Sequence, residues 1–153
     1  TQILPLCPSE MTVLIAGANP AYRVKRLMSH KVTVSGWIDD IRHAYASSHI
    51  FVAPMWSGTG QQNKILEAMA MGIPCITTAS VNNAIGAMPG KEIMIAESPG
   101  EYVSAILKLL SDALLYSQVS SNSKKFVEVN FDWKQNGLKI CAIFAENNNI
   151  HVS

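Results

Sequence analysis

The sequence predicts an α/β domain with a mostly parallel sheet flanked by helices, and two observations carry that prediction. Apolar runs rich in β-branched residues recur at positions 11–16, 31–36, 50–53, 75–78 and 93–96, and stretches of helical periodicity separate them. Between positions 50 and 78 the pattern is complete: an apolar run ends at Pro54, a glycine-rich turn follows, then a helical segment closed by Gly72, then a second apolar run. Strand, loop, helix and strand in that order make a βαβ unit, which pairs its strands in parallel.

At about 100° per residue, Ile65, Leu66 and Met69 of the central helix fall on one side, with Ile73 extending the stripe. This is the core side. Gly60, Lys64, Glu67 and Met71 line the other, and Ala68 is read with them, so this face is poor in charge for a solvated surface. The turn Ser57-Gly58-Thr59-Gly60 lets backbone approach a ligand without interference from Cβ atoms. A helix start with unpaired N–H groups follows it, and an anion is the expected guest.

Taken in order, positions 1–10 carry two prolines and read as a lead-in with a short helix or linker character. Positions 11–16 form a buried strand ending in the turn Gly17-Ala18-Asn19-Pro20, and a helix over 21–29 follows. His30 reads as a cationic complement to that helix's carboxyl end. Positions 31–36 make a strand, and Trp37-Ile38-Asp39-Asp40 lead into a helix over 41–48 whose amino end the two acids favour. After the strand at 75–78, positions 79–90 read as a small-residue loop with a short helix around 84–88. Positions 100–111 and 113–130 are amphipathic helices, and Asp132 reads as the cap of a last helix reaching 146.

Composition removes several classes. A chain of 153 residues with 48% hydrophobic content is one domain with a sizeable core, and a net charge of +1 offers no field for nucleic acid. Cys7, Cys75 and Cys141 are odd in number and lack metal-ligand spacing, so they read as reduced thiols of a cytoplasmic protein. His43 and His49 have no partner at ligand spacing either, and no metal is expected. No apolar stretch is long enough for a membrane span.

The run G-T-G-Q-Q-N-K-I-L-E-A-M-A-M-G-I-P, from Gly58 to Pro74, resembles the signature of the carboxyl-terminal domain of group 1 (family 4) retaining glycosyltransferases of the GT-B fold. The resemblance implies a Rossmann-like three-layer domain that is one half of a GT-B enzyme. It implies that Glu67 takes the ribose hydroxyls of a nucleotide sugar, and that backbone around Gly58, Thr59, Gly60 and Gln61 approaches the diphosphate or the sugar. Thr59 stands where the family commonly has its first Glu, so that carboxylate's role is not carried over. Lys64 is the candidate phosphate or sugar contact, grouped with Glu67 as catalytic. The family also places Gly17 at the end of an early strand and Trp37 and Ile38 beside the base, although Trp37 could equally be packing between loop and helix.

The implied function is the nucleotide-sugar-binding half of a retaining transferase that moves a sugar onto a glycan or lipid-linked acceptor, in polysaccharide biosynthesis. The amino-terminal acceptor domain lies outside this chain, and the isolated half is expected to bind nucleotide and transfer nothing. The full-length protein is expected in the cytoplasm, with peripheral membrane association open to it. The alternative is a non-catalytic nucleotide- or protein-binding half, such as a subunit of a split transferase.

Overall fold

The computed structural model describes residues 2–55 and 62–131. The chain opens with a 3-10 turn at Leu4–Leu6, and five strands then alternate with helices. β1 (Val13–Ala16) leads to α1 (Tyr22–Lys25), β2 (Val32–Gly36) to α2 (Ile41–Ala46) and β3 (Phe51–Ala53) to α3 (Asn63–Ala70). β4 (Cys75–Thr77) leads to α4 (Ala79–Ile85), and β5 (Met94–Ile95) to the longer α5 (Pro99–Ser111) and α6 (Ala113–Asn130).

Every pairing is parallel, as a helix after each strand requires. The strands form two ladders, a pair β1-β2 and a triplet β3-β4-β5. In the pair, Val13 faces Val32 and the register slips between Ile15 and Ala16. In the triplet, Ile76 of β4 stands between Val52 and Met94.

The core lies around the triplet. On one side Ile65, Ala68 and Met69 of α3 join Cys75, Val81 and Ile93, and on the other Tyr102, Ile106 and Leu109 of α5 pack with Ile76 and Val119. Burying each large side chain of this kind contributes about 1.5–3 kcal/mol. Ala68, read above with the charge-poor face of its helix, is fully buried. The cause is α6, which packs along α3 and widens the buried arc beyond the stripe facing the sheet. Ser120 of α6 also donates its hydroxyl to the Gly72 carbonyl, fixing the turn where α3 ends.

Local chemistry sets the helix boundaries. Asp40 caps α2, its carboxylate accepting the Arg42 N–H at 3.0 Å, whereas Asp39 takes the Trp37 indole N–H instead. Ser98 and Glu101 form a capping box at the start of α5, and Asp112 caps α6. The helix after β4 occupies 79–85, earlier than the sequence suggested. Thr78, read as a strand residue, caps it, and Gly86 ends it in the left-handed conformation at φ 79°. α1 stops after Lys25 because it buries no residue and has no side-chain cap, so little supports a longer helix. His30 therefore lies five residues past that end and does not complement it. The helix expected after Asp132 lies outside the described residues.

Candidate functional site

The site is built where β3 and β4 end. Thr77 donates its hydroxyl to the Ala53 carbonyl at 3.0 Å, and Thr78 donates to the Met55 carbonyl at 2.6 Å. These bonds tie the carboxyl end of β3 to β4 and fix the point where the glycine-rich turn departs. Past the turn, α3 begins without a side-chain cap from Gln62 and with no acid in its first turn, unlike α2, α4, α5 and α6, each capped by a side chain.

Glu67 stands on the exposed face of α3, one turn along. The Tyr45 hydroxyl reaches it from α2, 3.0 Å from Oε2 and 3.2 Å from the Lys64 carbonyl. The phenol has one proton to give, and the carboxylate, nearer and charged, is the stronger acceptor. Among the described residues no group donates to Oε1. Tyr45 itself is buried, and its ring meets Phe51 edge-on at 5.8 Å. Burial first, then the hydrogen bond to Glu67 and its negative charge, hold the phenol above its ordinary range. It stays a neutral donor across the physiological range. Lys64 is exposed and forms no ion pair with a described residue; the ion pair among the described residues is Arg42–Asp40 at 2.7 Å.

A second group of predicted residues gathers at the carboxyl ends of β1 and β2. The Gly17 N–H donates to the Gly36 carbonyl at 3.2 Å, bringing the two strand ends together. Beside them opens a cavity of about 450 Å³ lined by residues that include Asn19, Pro20, Lys25, Met28, Gly36 and Trp37. Trp37 is 74% exposed, with its indole N–H held by Asp39 at 2.9 Å. Its indole nitrogen is thus held while most of the side chain stays exposed beside the cavity. Ile38 is half-buried and does not line the cavity.

Gly17 and Trp37 therefore follow strand ends, and Lys64 and Glu67 lie on the helix after β3, whereas ligands of open parallel sheets bind at the carboxyl ends of the strands. Gly58, Thr59, Gly60 and Gln61 lie outside the described residues. Sequence reasoning passed over Tyr45 and Lys25. Tyr45 left a signal, a tyrosine in the buried position of a short helix, since a buried phenol requires a partner. Lys25 left none, because its place beside Trp37 depends on how the loop after β1 folds back. Among the described residues no group of three or more His, Cys, Asp or Glu side chains could hold a metal. The Cys75 thiol, fully buried and pushed up by that burial, is no nucleophile.

Parallel strands, each followed by a helix, define a Rossmann-like architecture. The chain belongs to the family described as Glycosyl transferases group 1, whose model matches residues 2–112. Two curated relatives agree with that assignment in extent. One is an uncharacterized 44.6 kDa protein in the cps region of Klebsiella pneumoniae, 24% identical over 109 residues, 71% of this chain and 27% of that one. The other is the spore coat protein SA of Bacillus subtilis, 28% identical over 111 residues, 71% of this chain and 29% of that one. Among solved structures, Anabaena HepE in complex with UDP superposes with a TM-score of 0.82 at 17% identity, over 95% of this chain and 44% of HepE. The same protein with UDP-glucose gives 0.80. The fold is therefore one half of a GT-B glycosyltransferase, and the chain spans less than a third of the curated relatives it matches.

Proposed function

We propose that this chain is the donor-binding half of a retaining glycosyltransferase that transfers a hexose-type sugar from a nucleoside diphosphate to a glycan or lipid-linked acceptor in polysaccharide biosynthesis. The observation that carries the proposal is the Glu67 carboxylate, exposed on α3, with Oε2 held by Tyr45 and no donor to Oε1 among the described residues. A carboxylate so presented can accept two adjacent hydroxyls of a ribose. The positive dipole end of α3 suits diphosphate charge, with Lys64 adding a cation one turn before Glu67. The exposed face of Trp37 over its cavity suits a flat nucleobase. UDP and UDP-glucose bound to HepE supply the donor class by likeness.

No nucleophile with a partnered base occurs among the described residues, which suits a reaction in which the departing phosphate assists the incoming hydroxyl. Charge on the diphosphate is met by helix amides and Lys64 without a metal ion. An acceptor-binding domain completes the enzyme on the amino-terminal side, in the cytoplasm and at the membrane surface where a lipid-linked acceptor is used.

Calorimetry on the 153-residue chain with UDP, GDP and ADP tests this reading. Micromolar-to-millimolar binding of one nucleotide, weakened at least about tenfold by Glu67→Ala as loss of hydrogen bonds to a charged group implies, is the expected result. Transfer by the isolated chain is expected to be nil. Absence of nucleotide binding overturns the proposal in favour of a non-catalytic protein-binding half.

A further inference from the structure

We infer that Tyr45 is a positioning residue for the diol of the nucleotide, acting through Glu67. The inference rests on the reading of Glu67 as the ribose acceptor. The supporting geometry is independent of any ligand. Tyr45 lies in α2 and Glu67 in α3, 22 residues apart, and the phenol is the described hydrogen-bond link from α2 to the exposed face of α3.

A glutamate on an exposed helix face has three rotatable bonds, and freezing them on binding costs part of the affinity that its hydrogen bonds contribute. Here the freezing is done beforehand. Tyr45 is only 5% exposed and is wedged edge-on against Phe51 of β3, so its hydroxyl has a fixed position. By donating to Oε2 it selects one rotamer of Glu67. It also consumes a single lone pair of the carboxylate, so the lone pairs that no described residue uses, on Oε1 and Oε2, can face adjacent hydroxyls. A phenol serves this purpose where a cation would not: it orients the carboxylate without neutralising it or competing as a full ion pair.

The test is a double-mutant cycle read as discrimination between UDP and 2′-deoxy-UDP, using the wild type, Tyr45→Phe, Glu67→Ala and the double variant. Phenylalanine keeps the ring against Phe51, and a thermal melt of Tyr45→Phe checks that the fold is retained. Wild type is expected to favour UDP by about tenfold, the worth of a hydrogen bond to a charged group. Tyr45→Phe is expected to cut that preference to about threefold while leaving 2′-deoxy-UDP binding within about twofold, and to change nothing further when Glu67 is already Ala. An unchanged preference in Tyr45→Phe, or an equal loss from Tyr45→Phe with and without Glu67, overturns the positioning role. Loss of preference in the unmutated chain overturns the reading of Glu67 itself, and the two failures are told apart by which protein shows them.

Discussion

Residues 2–43 and residues 44–131 are built from the same kinds of segment, yet they bury very different amounts. Not one described residue before Ala44 is fully buried, although β1 reads Val-Leu-Ile-Ala and its Leu14 is 40% exposed. In β4 all three residues are buried, two of them completely inaccessible apolar side chains. The difference is in coverage. β4 has a strand on each side, α3 on one face and α5 on the other, whereas β1 is bonded to β2 alone and α1 covers little of either. Apolar content earns stability only where neighbours remove it from water on every side. The site follows the same division: the carboxylate is held by the well-packed half, and the Trp37 cavity opens in the loosely packed one.

The sharpest way to break this comparison is to truncate matched isoleucines. Ile76→Ala in β4 is expected to cost about 3 kcal/mol in a urea titration, within the usual range for a fully buried aliphatic. Ile15→Ala in β1 is expected to cost about 1 kcal/mol, in proportion to its partial burial. Equal losses would show the two halves to be alike.

A smaller effect sharpens the picture at the join of α3 and α6. Gly72 has φ 74°, and a Cβ there would come 3.3 Å from Ser120 Oγ. Gly72→Ala is expected to cost about 1–2 kcal/mol, the left-handed backbone supplying most of it. A neutral result would show that the turn relaxes and that the junction is not rigid.

The smallest effect concerns the amino-terminal side and pH. Asp40 titrates at about 2, because hydrogen bonds from the Arg42 side chain, then from its backbone N–H, favour the ionised carboxylate. Its folded value is depressed below the unfolded value of about 4, so its contribution is present above pH 4 and is lost as pH falls through 2. The group is exposed, and the effect is accordingly small. Asp40→Asn is expected to flatten the acid limb of the stability curve over that window, in low salt more than in high. An acid limb identical in the variant would remove Asp40 from the account.

Much of this was legible in the residues. The glycine-rich turn, the stripe Ile65-Leu66-Met69 and the position of Glu67 eight residues after Thr59 pointed to the fold and to the family now shown for residues 2–112. Local rules also located Asp40 and the amphipathic helices. They failed where distant elements intervene. The charge-poor face holding Ala68 pointed to a cover without saying that α6 supplies it, and the helix at 79–85 was placed late because Thr78 can end a strand and cap a helix at once.

The sequence by itself determined the alternation of strands and helices and the parallel pairing that alternation demands. Those depend on periodicity and on the chemistry of single side chains, which act over a few positions. Only tertiary structure decided that the strands would divide into a pair and a triplet, that Lys25 would stand beside Trp37, and that Tyr45 would reach Glu67 across 22 residues. Such contacts join segments with no local preference for each other, and only the packing of the whole chain brings them within hydrogen-bonding distance.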